Sequence, residues 1–355
     1  VIEKALRAIA GRTGPILSDG TAMRSLIDLE RRTVDPRVLV DPEIYEIELR
    51  KVFATSWIVV AHEAEIPNPW DFVTRRMGED GVIVTRDGDG GVHILRNECA
   101  HRQMEVCRVE EGSRRTFTCP FHGWTFDNRG HFLGAPNQRV SPRPSGHSRD
   151  DLVTARTSTV GGMVIGCFDE RTHIDATDLG AIGGATAATL RTSRDLSATP
   201  ITRYQIGTNW KCLGARITGG GAAGLVHQVM VENAGVLRGI FPSSLVVTDT
   251  DTDTDTDTVT DTDTDTDTES VAGVGDRIIA VGGLVPKGPS AVELWTIRLA
   301  TKAIPPAPVD PEPRATIARH LSEMRDDRAL LGEGGPLEDA VWQWWVRWFD
   351  LMTAE

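Results

Sequence analysis

The sequence predicts an α+β fold in two parts: a small antiparallel β domain, and a larger domain of antiparallel strands with helices. Three observations predict it. From Trp57 to about residue 155, short β-rich runs are punctuated by Gly, Pro and Asp turns, as in a small antiparallel domain. Beyond residue 200, segments 277–285 and 292–299 alternate like strands of a second, larger sheet. Val341, Trp344, Trp345, Trp348, Phe349 and Met352 recur at helical spacing, one apolar stripe on a closing helix. At 355 residues, with 40% apolar and 25% charged residues, the chain can bury a sizeable core, in two domains or one elaborated domain, and has an ordinary globular composition.

The elements follow in chain order. Asp41-Pro42 opens a helix, with Asp41 as N-cap and Pro42 at the first helical position. Tyr45, Leu49, Val52 and Phe53 then recur at helical spacing up to Trp57. Strands are predicted at 57–61, 81–85, 92–95 and 163–168. A small-residue stretch after about residue 180 leads to a strand at 201–206 and then to Asn209-Trp210-Lys211. Gly and Ala dominate 214–224, and a short apolar run after Phe241-Pro242 ends at Val247. Helical character returns at 314–324 and 337–352. The four tryptophans from Trp342 to Trp348 are assigned to packing rather than to substrate stacking.

Residues 248–270 alternate Thr and Asp, broken once by Val259. As a strand they would line Asp side chains on one face about 7 Å apart. Each neighbouring pair would then repel by roughly 0.6 kcal/mol in water, with nothing apolar to offset it. A solvated, disordered loop is expected. The net charge of −13 resides largely here: nine Asp and Glu269 leave about −3 for the rest. The near-neutral remainder gives no electrostatic case for nucleic acid or an acidic membrane as partner. No apolar run approaches the ~18–20 residues of a membrane span, and the N-terminal residues lack a signal-peptide pattern. Cys107, Cys167 and Cys212 form no disulfide framework and are read as small buried apolar side chains, which suits a reducing cytoplasm.

The chemistry is concentrated in Cys99-Ala100-His101 and Cys119-Pro120-Phe121-His122, seventeen residues apart. Each supplies one thiolate and one imidazole. Two sulfurs and two nitrogens are the donor set of a Rieske [2Fe–2S] centre, one iron held by both cysteines and the other by both histidines. Zinc is the competing metal, but zinc fingers usually run Cys-Cys before His-His, and here each cluster is mixed. Arg102 after the first His and Gly123-Trp124 after the second agree with iron–sulfur ligation.

The runs Asn97-Glu98-Cys99-Ala100-His101-Arg102 and Cys119-Pro120-Phe121-His122-Gly123-Trp124 resemble the large (α) subunit of the Rieske non-haem iron aromatic-ring-hydroxylating oxygenases. Asp41-Pro42-Glu43-Ile44-Tyr45, Trp57 and His62-Glu63-Ala64-Glu65-Ile66-Pro67 resemble that family's first helix and strands. Asn209-Trp210-Lys211, Phe241-Pro242, Pro286-Lys287-Gly288-Pro289 and Glu293-Leu294-Trp295 resemble its catalytic-domain signatures. Gln103 stands where the family usually has Gly. The resemblance implies a Rieske domain (38–155) set into a helix-grip catalytic-type domain (156–355, with the Thr/Asp loop at 248–270), and an N-terminal helical segment (1–37) packed on the latter. It implies an oxidoreductase of aromatic hydrocarbon catabolism with a Rieske cluster and a mononuclear Fe(II). A reductase or ferredoxin donor, a small β subunit and a trimeric ring of α or α₃β₃ composition are also implied. Electrons would cross a subunit boundary to an iron held by two His and one carboxylate, which activates O₂ beside an aromatic substrate.

The iron helix departs from the family pattern. Counted from Asn209 without gaps, the positions for Glu-Asn, Asp and the two His hold Ala215-Arg216, Gly220, Ala223 and Gln228. A four-residue insertion would make His227 and Glu232 ligands; a shift of one would make His227 the second ligand alone. Asp339, before Trp342, stands where the family's carboxylate is expected, so His227 and Asp339 are the catalytic candidates. The alternative for His227 is a histidine without metal, and for Asp339 a solvated carboxylate favoured by the helix dipole. Two functions follow: a terminal oxygenase α subunit, or a degenerate α-like subunit that keeps only the Rieske cluster and serves electron relay or assembly.

Overall fold

The computed structural model describes residues 2–136, 149–173, 196–218, 235–240, 242–249, 279–301, 331 and 337–354. The α-helices among the described residues are α1 (Ile2–Ala10), α2 (Pro42–Glu48), α3 (Trp210–Thr218) and α4 (Asp339–Thr353). Asp41 caps α2 as expected: its Oδ1 accepts from the amides of Glu43 at 2.8 Å and Ile44 at 3.4 Å. The helical run does not continue regularly to Trp57. Residues Leu49–Phe53 form a π-helical turn, which turns Val52 and Phe53 inward, the latter ring 4.8 Å from Trp210.

All strand pairs are antiparallel. After a two-stranded ribbon, β1 (Ile27–Asp28) and β2 (Thr33–Val34), come β3 (Ile58–His62), β4 (Asp71–Met77), β5 (Asp80–Arg86), β6 (Val92–Arg96) and β7 (Glu111–Ser113). With β11 (Thr154–Val160) and β12 (Met163–Cys167) they form a seven-stranded sheet ordered β3-β12-β11-β6-β5-β4-β7. The short strands β8 (Thr116–Thr118), β9 (Thr125–Asp127) and β10 (Phe132–Gly134) make a separate three-stranded sheet. A small core lies between them: Phe72, Ile83 and Leu95 meet Phe117, Phe126, Phe132, Val106 and Leu152. The three-residue strands were not predicted, because they are too short to show a period.

The second sheet contains β13 (Leu196–Ala198), β14 (Thr202–Ile206), β15 (Gly235–Ile240), β16 (Ser244–Asp249), β17 (Ile279–Pro286) and β18 (Val292–Thr301). The order is β13-β18-β17-β16-β15, with β14 also on β18. Val59, Met163 and Ile165 of the first sheet pack against Val281, Val285, Trp295, Ile297 and Leu299 of the second. The backbone amide of Val59 donates to Ser244 Oγ at 3.1 Å.

Helix α4 buries its whole apolar stripe, and all four tryptophans from Trp342 to Trp348 are buried. Trp344 meets Trp210 edge-on at 5.6 Å, so α4 and α3 share one aromatic seam. The N-terminal segment lies on α4: Arg12 pairs with Asp350 at 2.8 Å. Gly14, at φ +70°, lies so close that a Cβ would touch Thr353 at 3.0 Å. Thr248 and Asp249 end strand β16, so the Thr/Asp tract begins inside the sheet; its remainder lies outside the described residues, as do the 314–324 helix and Phe241. No helix among the described residues is long and apolar enough to cross a membrane.

Candidate metal-cluster site

Two loops built on one backbone plan carry the four predicted ligands. The first leaves β6; the second connects β8 to β9. In the first, the Cys99 amide donates to Met104 O at 2.9 Å and the Gln103 amide returns to Cys99 O at 2.7 Å. In the second, the Cys119 amide donates to Trp124 O at 2.7 Å and the Gly123 amide returns to Cys119 O at 3.0 Å. Each loop therefore turns on the residue four places after its cysteine. That residue is left-handed in both: φ is +54° at Gln103 and +71° at Gly123. Glycine suits this conformation because it has no Cβ to clash. The departure noticed in the sequence at Gln103 is thus a side chain placed where the backbone favours none.

Asn97 closes the base of the first loop. Its buried Oδ1 accepts from the amides of Val106 at 3.1 Å and Cys107 at 2.8 Å, and its Nδ2 donates to Cys107 O at 2.7 Å. Cys107 is buried in the small core, as its assignment to packing expects.

The structure sets the four predicted ligands at the two loops as two pairs. Cys99 and Cys119 are buried, and both belong to the small core. Burial, with the second thiol beside it, pushes the Cys99 thiol above its ordinary range. His101 and His122 are exposed, their Nδ1 atoms facing each other 3.1 Å apart and their rings 4.6 Å apart at 65°. Desolvation, then the charges of His101 and Arg102, hold His122 below the usual histidine range.

These residues fit the cluster. Two imidazole nitrogens on one tetrahedral metal at about 2.0–2.1 Å would lie about 3.3 Å apart, close to the spacing seen. Without a metal the same 3.1 Å contact is closed by the Nδ1–H of one ring donating to the Nδ1 of the other. Among the described residues no three His, Cys, Asp or Glu side chains converge on one ion. Two donor pairs suit two irons better than the single four-ligand zinc.

Of the three mononuclear-iron candidates, Asp339 alone lies among the described residues. His227 and Glu232 lie outside the described residues. Asp339 opens α4 with its side chain 81% exposed and paired to Arg32 at 2.7 Å, while Ala215 is buried within α3. What Asn209-Trp210-Lys211 does in this chain is structural. Asn209 Oδ1 accepts from the Lys211 amide at 2.9 Å, and its Nδ2 donates to Leu39 O at 2.8 Å and Pro289 O at 2.6 Å. Lys211 Nζ meets Glu48 Oε1 at 2.5 Å, and Trp210 Nε1 donates to Glu48 Oε2 at 2.9 Å. Burial pushes Glu48 up and Lys211 down, and their mutual attraction opposes both shifts. This pair was missed in the sequence, where the signal was a glutamate on the apolar face of α2 beside Ile44 and Ile47.

Comparison with known proteins agrees with the cluster loops. The profile of the Rieske [2Fe-2S] domain family matches residues 56–145. A benzene 1,2-dioxygenase subunit alpha of Pseudomonas putida is 33% identical over 195 residues, covering 53% of this chain and 42% of that protein. A biphenyl 2,3-dioxygenase subunit alpha of Rhodococcus jostii is 34% identical over 213 residues, covering 58% and 44%. The chain thus spans less than half the length of these curated relatives. The fold is similar to the crystal structure of naphthalene 1,2-dioxygenase from Rhodococcus sp. bound to indole (TM-score 0.64, 19% identity), covering 100% of this chain and 98% of that one. It is also similar to a quaternary ammonium Rieske monooxygenase (TM-score 0.62, 16% identity), covering 90% and 94%.

Proposed function

We propose that this chain, which matches the Rieske [2Fe–2S] domain family over 56–145 and is similar to large subunits of ring-hydroxylating dioxygenases, is the electron-accepting α subunit of a multicomponent oxygenase. Its reaction class is O₂-dependent hydroxylation of an aromatic ring. The observation that carries the electron-accepting role is the pairing of two buried cysteines with two exposed, facing histidines. Cys99 and Cys119 would hold one iron, His101 and His122 the other. When bound, the cluster supplies one-electron transfer at a potential raised by its histidine ligands. The chain keeps water from the sulfurs by enclosing both cysteines in the small core, and leaves both imidazole edges open to an electron donor. A reductase or ferredoxin is the donor proposed; a small β subunit and a trimeric ring are the assembly. We assign the Rieske domain to 38–155, the catalytic-type domain to 156–355 and the N-terminal segment to 1–37, with β11 crossing the first boundary and β12 pairing back with β3.

A second reading is favoured by one observation, the exposed Asp339 and its ion pair with Arg32. In it the chain keeps the Rieske cluster alone and relays electrons without oxygenating a substrate itself. Iron and acid-labile sulfide per chain, measured with O₂-dependent turnover, decide between the two. Three irons, two sulfides and a hydroxylated product support the oxygenase. Two irons, two sulfides and no product support the relay, and a preparation without sulfide refutes both. Retention of turnover in His227→Ala would remove His227 from the ligand set.

A further inference from the structure

The two imidazoles of the cluster site are braced unequally. His101 lies flat on the Trp124 indole, with centroids 5.0 Å apart and ring planes only 6° from parallel. Trp124 in turn leans on Phe132 at 4.5 Å, and Phe132 is buried in the small core. His122 has a different neighbour, Phe121, at 3.9 Å and 38°, and that ring is 52% exposed. The path from His101 to the core is therefore a continuous stack of rings, whereas His122 is flanked by a side chain that itself faces solvent. The same hydrogen bond that closes the second loop, Cys119 N to Trp124 O, fixes the backbone from which the indole projects.

From this stack we propose that Trp124 is a positioning residue for the cluster: its indole face sets the ring plane of His101, and so the direction in which that nitrogen meets its iron. An imidazole on a single Cβ–Cγ torsion has a broad, two-fold range of ring orientations. Offset aromatic stacking restricts that range. Partners of this kind around a metal-bound histidine fix its orientation and tune the metal. The inference rests on the Rieske assignment, since it concerns how one ligand of that cluster is held.

The test is electron paramagnetic resonance of the reduced protein, with the midpoint potential, in wild type, Trp124→Leu, Trp124→Phe and Phe121→Leu. The wild-type spectrum checks the cluster itself, so failure of that assignment shows in the parent protein before any variant is read. Leucine preserves apolar bulk against Phe132 but offers no ring face; phenylalanine preserves the face. The expected result is broadened, shifted lines and a shifted potential in Trp124→Leu, with wild-type lines in Trp124→Phe and Phe121→Leu. Loss of the cluster from Trp124→Leu alone, at unchanged urea stability, carries the same meaning. Wild-type lines and potential in Trp124→Leu would overturn the proposal, and so would a Trp124→Phe protein as perturbed as Trp124→Leu.

Discussion

Replacing Lys211 with Met isolates the buried ion pair that joins α2 to α3. The side chains of Lys211 and Glu48 are 1% and 0% exposed, so neither charge can turn to water. Methionine keeps the length and apolar stem of lysine and removes only the cation, leaving Glu48 with the Trp210 indole as donor. The cheapest escape for the stranded carboxylate is to take up a proton. At pH 7, against an unfolded value near 4.3, that costs about 3.7 kcal/mol. The figure lies within the roughly 3–5 kcal/mol seen when one partner of a buried pair is removed. The sign of the pH dependence follows. In the variant the folded Glu48 binds a proton that the unfolded chain does not, so stability rises as pH falls. Between pH 7 and pH 5 the deficit should shrink by about 2.7 kcal/mol, and it should vanish near pH 4.3. Adding Glu48→Gln should recover most of the loss at pH 7. Urea unfolding followed by tryptophan fluorescence at pH 5, 6 and 7 measures all three proteins. A Lys211→Met deficit below about 1 kcal/mol at pH 7, or one of equal size at pH 5, refutes the reasoning.

Three further outcomes are expected. Gln103→Gly should stabilise the protein by about 0.5–1 kcal/mol, because relief of the left-handed strain exceeds the added freedom of the unfolded chain; a lower urea midpoint would contradict it. Gly123→Ala should destabilise by about 1–3 kcal/mol and lower iron retention, since its Cβ would lie 2.7 Å from Pro136; Gly90→Ala, with nothing within 4 Å, is the control for strain alone. Burial raises Asp87, but His93, the amides of Gly91 and Asp89, and Arg129 outweigh it and hold the carboxyl at about 2. Asp87→Asn should therefore cost about 2 kcal/mol at pH 7, a difference present above pH ~4 and lost as pH falls toward 2; equal unfolding midpoints at pH 7 would count against it.

Much of the architecture was legible wherever a period could be counted. The closing helix was visible because six apolar side chains repeat on one face, β17 and β18 because their runs alternate, and β5 and β6 because short β-rich runs stand between Gly, Pro and Asp turns. The opening of α2 was visible from a single dipeptide, since Asp41 and Pro42 act through local backbone geometry. Strands of three residues such as β8 to β10 were not visible, for they are held by the core around Phe117, Phe126 and Phe132 rather than by their own pattern. The four cluster ligands were legible because donor chemistry and spacing are both local. The stack of His101 on Trp124 was not, because it needs two separate loops to meet across 23 positions of sequence. The Glu48–Lys211 pair spans an even longer separation and leaves only a misplaced charge in an apolar stripe.

The shared plan of the two ligand loops has a consequence of its own. The closing hydrogen bonds are the same, yet the histidine occupies the second place after the cysteine in one loop and the third in the other. A near-repeat of backbone therefore presents a mismatched pair of side chains, and the ring planes cross at 65° instead of lying as mirror images. The exposed tip is handed. A docking partner that approaches it from the Phe121 side meets a soft, solvent-facing ring, and one that approaches from the Trp124 side meets a wall continuous with the core. One residue of offset is enough to give the tip distinguishable sides.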